Sequence, residues 1–316
     1  MKNYLEFETE IKALEEQLDK LKDPFEKDGL TEVDTTKINQ IQDELDQKLK
    51  EVYSSLSRWQ KTLVARHEER PRANFFISNL FSDFINLSGD RNYGEDKSVL
   101  AGFGLFGNQS VLVIGQEKGD DLDSRIKRNF GMMKPEGYRK CIRLMKLADK
   151  FNIPIISFID TPGAYPGVGS EKRGIAEAIA SSIDCMLSLR VPIIACILGE
   201  GGSGGYVALA VANRVLMMEH AIASVISPEG AAEIIFKDSS KKEQAAKSLK
   251  LTANELLKLG VIDEIIQEPI PAHRNKELAV SSTKAALIKH LEVFKNYSRE
   301  EIFEQRKKKF LNIGRQ

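Results

Sequence analysis

The stretch Val191-Pro192-Ile193-Ile194-Ala195-Cys196-Ile197-Leu198-Gly199-Glu200-Gly201-Gly202-Ser203-Gly204-Gly205-Tyr206 decides how this 316-residue chain is read. Its first half is a short apolar run rich in β-branched residues, as a strand buried on both faces of a parallel sheet requires. Its second half is a glycine turn that leads into a helix. The same pattern occurs forty positions earlier, where Ile153 to Ile159 runs into Asp160-Thr161-Pro162-Gly163-Ala164-Tyr165-Pro166-Gly167. Glycine permits left-handed φ and close approach of backbones, and a helix start presents unsatisfied N–H groups and a positive dipole end. Two such turns predict an anion cradle built from main chain, with Gly204 and Gly205 as first candidates for the donors and Gly163 and Ala164 as second. The bland alternative is that these glycines only let strand and helix pack closely.

Working outward, an α/β pattern extends from about Phe75. Ser98 to Phe106 and Ser110 to Gln116 read as a hairpin turning at Gly107-Asn108. Pro135 opens a helix, and a further helix from Lys172 to Leu189 links the two buried strands. Arg214 to Met218, Ala223 to Ile226 and Val261 to Gln267 read as later strands, with a helix opened by Pro228 between them. Thr252-Ala253-Asn254-Glu255 is a capping box for a helix stopped at Gly260, and the charged tail from Ala272 to about Phe310 reads as helical. A spiral of ββα units and a doubly wound sheet both fit this order. The first seventy residues differ. Ile11, Leu14, Leu18 and Leu21, then Ile38, Ile41, Leu45, Leu49, Val52 and Leu56 after a break at Pro24 and Gly29, form two apolar seams. They predict a helical hairpin over residues 1–70, an assembly element beside a main domain over 71–316.

Composition narrows the partners. The 46 basic and 46 acidic residues cancel, so no global charge favours nucleic acid or a membrane surface. The opening Met1-Lys2-Asn3-Tyr4-Leu5-Glu6 carries no apolar run of a signal sequence, and no segment approaches the ~20 apolar residues of a spanning helix, so a cytoplasmic location is expected. Cys141, Cys185 and Cys196 stand alone among apolar neighbours and read as buried thiols. His67, His220, His273 and His290 show no metal-ligand spacing, and no metal is expected.

The turns offer few titratable groups: Asp160, Glu200, Ser203, Tyr165 and Tyr206. Chemistry there would rest on backbone donors, each worth several kcal/mol in a dry site. Ser203 as a nucleophile, with His220 as base, is a rival reading. Neither turn supplies a nucleotide-binding GxxxxGK[ST] or GxGxxG pattern. Arg125, Lys127, Arg128, Lys172 and Arg173 could meet phosphate or carboxylate groups, or form a solvated cluster.

Four segments together carry a resemblance: the two glycine turns; Arg128-Asn129-Phe130-Gly131 with Pro135-Glu136-Gly137-Tyr138-Arg139-Lys140; and Ser224-Val225-Ile226-Ser227-Pro228-Glu229-Gly230-Ala231-Ala232. In these the chain resembles the alpha subunits of bacterial acetyl-coenzyme A carboxylase carboxyltransferase, in register from the helical N-terminus through Glu69-Arg70-Pro71 and Gly89-Asp90-Arg91-Asn92. The resemblance implies a crotonase-like α/β fold and transfer of a carboxyl group from N-carboxybiotin, on biotin carboxyl carrier protein, to acetyl-CoA. It also implies a beta subunit that carries zinc and most of the acetyl-CoA site in an α2β2 assembly, together with a biotin carboxylase component. By the same resemblance Gly204 and Gly205 would donate to the biotin ureido oxygen, and Tyr165, Arg173, Tyr206 and Arg128 would contact substrate. Tyr206 stands where the family carries a small residue and is expected to shape the pocket. A Gly204→Val change is expected to fill the cradle and stop transfer. A self-sufficient crotonase-like enzyme and a noncatalytic scaffold are the alternatives.

Overall fold

A single sheet organises the chain in the computed structural model, which describes residues 3–22 and 35–315. Its strands are β1 (Ser82–Asn86), β2 (Val99–Phe106), β3 (Gln109–Gln116), β4 (Ile155–Thr161), β5 (Ile193–Gly202), β6 (Arg214–Met218), β7 (Ile222–Ser224) and β8 (Glu264–Ile266). They lie in the order β1-β2-β3-β4-β5-β6-β8, and β7 pairs with β5. The first three strands are antiparallel and the rest pair in parallel. The expected hairpin turns at Gly107, whose φ of +60° is of the kind glycine supplies. β4 and β5 are buried almost throughout, which is why their sequences are continuous apolar runs rather than alternating ones.

Each parallel crossover is helical: Pro135–Lys150 leads to β4, Ile175–Ser188 to β5 and Ser203–Ala210 to β6. The helix expected over Lys172 to Leu189 is found over Ile175–Ser188, and Gly174, at φ +78°, separates it from a short helix Val168–Lys172. The late strand is shorter than expected, since the amides of Val261 and Ile262 turn back to the Leu256 carbonyl instead of pairing with the sheet. The charged tail forms two helices, Lys276–Val293 and Arg299–Asn312, the second opened by a Ser298–Glu301 capping box. β1 and the helix Ala73–Leu80 were not anticipated from periodicity.

The N-terminal seams pair as expected: helices Thr9–Lys22 and Thr35–Ser54 bury Ile11, Leu18, Leu45, Leu49 and Tyr53 against each other and Val64. The break expected at Pro24 and Gly29 lies outside the described residues. Arg274 ties this pair to the body, with its guanidinium 2.6 Å from Glu8 and 3.1 Å from Glu15. Three histidines that are far apart in sequence also meet at this joint. The His67 and His273 rings stack at 3.9 Å, and Tyr53 lies between His220 and His273 at 5.6 and 6.2 Å. All three cysteines are free and buried, and burial pushes the Cys141 thiol up to about 12. No helix among the described residues is long and apolar enough to cross a membrane.

Candidate functional site

β4 and β5 run side by side, with Thr161 opposite Gly201, so both glycine turns leave the sheet at the same edge. Ligands of parallel α/β sheets gather at the carboxyl ends of strands, where loops and helix starts converge. The turns here are in contact. A Cβ on Gly202 would land on the Pro162 carbonyl, and one on Gly205 would stand 2.6 Å from the Gly163 carbonyl carbon and 2.8 Å from the Ala164 nitrogen. Close packing therefore requires glycine at both positions. Gly204 differs: its Cβ position meets only the Ile179 side chain, at an ordinary 3.6 Å. A methyl at Gly204 would therefore fit without displacing either turn. Gly202 and Gly205 are the residues whose Cβ atoms would push the turns apart.

The helix Ser203–Ala210 starts with Gly202 as N-cap and has no side-chain cap, so Gly204 and Gly205 lie in its first turn, where N–H groups have no intrahelical acceptor. Gln116 steadies this start by donating from Nε2 to the Gly205 carbonyl at 2.8 Å. The first turn is more committed. Gly163 N–H donates to Thr161 Oγ1 at 3.2 Å, and Tyr165 N–H to the Met133 carbonyl at 2.9 Å. Among the described residues Ala164 N–H has no such acceptor, which makes it, rather than Gly163, the available amide of that turn.

Beneath the turns lies a charged floor that the sequence reading missed. Lys118 Nζ stands 2.8 Å from Asp160 Oδ1 and 2.6 Å from Glu200 Oε2. Arg72 pairs with Asp160 at 3.0 Å, and Arg66 joins Glu200 at 2.7 Å to Glu229 at 2.6 Å. Glu200 N–H also donates to Asp160 Oδ1 at 3.0 Å. Burial opposes ionisation of Asp160, yet Lys118 and Arg72 outweigh it and hold its carboxyl below the usual range. Glu200 is likewise buried and likewise held low, by Lys118 and Arg66. Three cations against three anions leave the floor neutral. These acids are structural anions, not proton carriers near neutral pH. One signal was available in sequence: a charged residue at or just beyond the end of each of three neighbouring strands, Lys118, Asp160 and Glu200.

The expected substrate-contact residues separate. Tyr165 is partly exposed, with the Lys134 ammonium 5.1 Å from its ring centre and its ring packed where a Gly167 Cβ would lie. Tyr206 turns back onto β5, where a Cβ on Gly201 would stand 3.2 Å from its ring, and burial pushes its phenol up. Arg173 is already spent: it makes two 3.1 Å hydrogen bonds to Glu136 and lies 4.4 Å from the Tyr93 ring centre. Arg128 donates to the Lys97 carbonyl at 2.8 Å. Neither arginine hydrogen-bonds to a glycine turn.

The serine-nucleophile reading finds no base. Ser203 is exposed at φ +49°, whereas the His220 ring faces the Glu268 carbonyl and Tyr53 at the N-terminal joint. Among the described residues no group of three or more His, Cys, Asp or Glu side chains is placed to hold a metal. Exposed apolar side chains include Val168, directly after the first turn and 72% exposed, and Val225, directly after the β7 strand that pairs with the end of β5 and 78% exposed.

A model of the family described as acetyl co-enzyme A carboxylase carboxyltransferase-like matches residues 4–314. An acetyl-coenzyme A carboxylase carboxyl transferase subunit alpha of Pelagibacter ubique is 66% identical over the whole chain, which spans 86% of that relative. The protein of the same name from Nitrobacter winogradskyi is 49% identical over the whole chain and 98% of its own length. Among solved structures, a transcarboxylase 12S subunit aligns with a TM-score of 0.58 at 20% identity, over 71% of this chain and 42% of that one. A Pseudomonas malonate decarboxylase hetero-tetramer chain aligns at 0.55 and 16% identity, over 68% and 86%. At such identities the likeness speaks for the fold, which is crotonase-like.

Proposed function

We propose, for a chain that belongs to the acetyl co-enzyme A carboxylase carboxyltransferase-like family, that its two apposed turns form the carboxybiotin side of a carboxyltransferase site shared with a partner subunit. The chain is a carboxyltransferase alpha subunit. The observation that carries the site assignment is the uncapped helix start at Gly204 and Gly205, pressed against the Gly163-Ala164 turn over a neutral ionic floor.

The reaction moves a carboxyl group from the ureido nitrogen of carboxybiotin to the methyl carbon of acetyl-CoA. When the N–C bond breaks, carbon dioxide departs and the electron pair stays on the ureido group, delocalised toward its oxygen. The amides of Gly204 and Gly205, with Ala164 from the opposite turn, would donate to that oxygen, each donor worth ~3 kcal/mol in a water-poor site. The ureido nitrogen, now basic, takes a methyl proton, and the resulting enolate carbon bonds to carbon dioxide to give malonyl-CoA. No side-chain base is needed. This agrees with a floor whose acids are held ionised by paired cations.

The alpha-subunit relationship implies a beta subunit, and the exposed apolar residues beside the turns are suited to receive it. We assign zinc to that partner and delivery of biotin to a carrier protein charged by a biotin carboxylase. Residues 1–70 serve as an assembly element, the complex is α2β2, and its place is the cytoplasm. The test is malonyl-CoA decarboxylation with free biotin as acceptor, by the chain mixed with its beta subunit and by each alone. Activity only in the mixture is expected. Activity of this chain alone would favour a self-sufficient acyl-CoA enzyme, and a stable but inactive complex would favour a scaffold.

A further inference from the structure

We propose that Lys118 is a positioning residue for this reaction, its ammonium holding the two glycine turns at the separation their amides need; this rests on the donor role given to those amides above. Lys118 follows β3 by two residues and reaches under both turns. It bonds at 2.8 Å to Asp160, which opens the first turn, and at 2.6 Å to Glu200, which opens the second. Each acid has a further cation, Arg72 for Asp160 and Arg66 for Glu200, but neither arginine bridges the pair.

The surrounding backbone is shaped to admit this lysine. Gly131, at φ +79°, closes the Arg128-Asn129-Phe130-Gly131 segment; a Cβ there would stand 2.7 Å from Lys118 Cγ and 2.9 Å from the Asp160 carbonyl oxygen. Thr161 Oγ1 lies 2.7 Å from the Gly131 carbonyl, which adds that segment to the same assembly. At the second turn a Cβ on Gly199 would stand 2.7 Å from Asp160 Oδ1. Two motif segments therefore meet at one ammonium that is itself no part of the cradle, and a third packs against the stem of the same side chain. Removing it leaves two buried carboxylates around a neutral centre, where they repel. Donor amides lose their effect once displaced by about 0.5 Å from the productive geometry, so the consequence would appear in the turns and in turnover.

The experiment uses the chain assembled with its beta subunit and carrying Lys118→Met, which keeps the apolar stem of the side chain and removes its charged end. Lys118→Met/Asp160→Asn, which removes an anion together with the cation, serves as the second variant. Turnover and KM are measured with malonyl-CoA and free biotin, and amide hydrogen exchange is followed in peptides covering 160–167 and 200–206. We expect kcat to fall by between about tenfold and about a hundredfold at nearly unchanged KM, with faster exchange in both turns together. Arg72→Met, which frees only one acid, should loosen the first turn more than the second. Wild-type exchange in both turns of the Lys118 variants would overturn the clamp and leave the donor reading standing. Faster exchange with undiminished kcat would instead overturn the donor reading, and with it any role of Lys118 in the reaction. Failure of both Lys118 variants to form the complex would assign the lysine to folding and overturn the proposal.

Discussion

In the turn that closes β4, Thr161 Oγ1 takes the Gly163 amide and the Met133 carbonyl takes that of Tyr165; in the turn that closes β5, a helix begins with no side chain over its first amides. Both turns are glycine-rich, both begin with a buried acid, and the same lysine binds both acids. They differ in where their hydrogen-bonding capacity goes. Apart from the Ala164 amide, the first spends it on its own conformation and on the segment that ends at Gly131, and so forms a wall. The second keeps it unspent and offers it outward. Glycine follows the same division: Gly202 and Gly205 are set by contact with the wall, while Gly204 has ordinary space beside it. A pair of similar motifs can thus differ in how far their polar groups are satisfied internally.

The comparison is broken most severely by Gly205→Val. Its side chain must enter space where the Gly163 carbon lies 2.6 Å and the Ala164 nitrogen 2.8 Å from the Cβ position, so support and donor would be forced apart. We expect a loss of about a hundredfold or more in kcat for the assembled enzyme, read by biotin-dependent malonyl-CoA decarboxylation, with the complex checked by gel filtration in the same sample. Thr161→Val attacks the wall alone. It removes the acceptor for Gly163 N–H and the hydroxyl beside the Gly131 carbonyl, and should lower stability by ~1–3 kcal/mol in denaturant titration, with a smaller loss of activity than Gly205→Val.

Acid separates the shared floor from the rest of the molecule. The carboxyls of Asp160 and Glu200 titrate below their ordinary values, so the stability they contribute is fully present above an unfolded value of ~4 and is lost as pH falls through their folded values. The two turns should therefore lose exchange protection together, and only below pH ~4. The N-terminal joint should give way earlier. Burial first, then the charges of His67 and Arg70, push His273 down to about 2, and burial also lowers His220. These rings stay neutral in the fold while the unfolded chain takes up protons below pH ~6.5, so stability there falls as pH drops from ~6.5. Arg274, Glu8, Glu268, Tyr53 and Lys61 also face this joint, and His273→Gln should flatten the slope between pH 6.5 and 5, about the span in which only histidine titrates. Hydrogen exchange across pH in the N-terminal helices and in the turns reads both effects.

The smallest effect is expected from Gly204→Ala, whose methyl meets Ile179 at 3.6 Å. Activity should stay within about threefold and stability should rise by up to ~1 kcal/mol, because alanine suits a helix better than glycine. A loss as large as that of Gly205→Val would mean that Gly204, not Gly205, sets the spacing of the turns.

Several features were legible in sequence because they depend on neighbours along the chain. The buried strands follow from apolar runs of β-branched residues, the hairpin from Gly107-Asn108, the capping box from Thr252 to Glu255, and the N-terminal seams from spacing at three and four. The start of the helix Ile175–Ser188 at Gly174 was locally encoded as well, since glycine accepts the φ of +78° found there. Arg173 shows the limit: its charge is plain in sequence, but its engagement with Glu136 depends on how the helix Pro135–Lys150 lies beside the first turn.

By itself the sequence determined the two strand–turn–helix units, the family and the two glycine turns, because hydrophobic period and glycine placement act over a few residues. Tertiary structure decided which glycines the contact between the turns requires, which amides remain unspent, and that Lys118 binds Asp160 and Glu200 from 42 and 82 positions away. These are matters of ångströms between segments distant along the chain. Local propensity does not encode such distances; they are set when the strands pair and the buried charges must find partners.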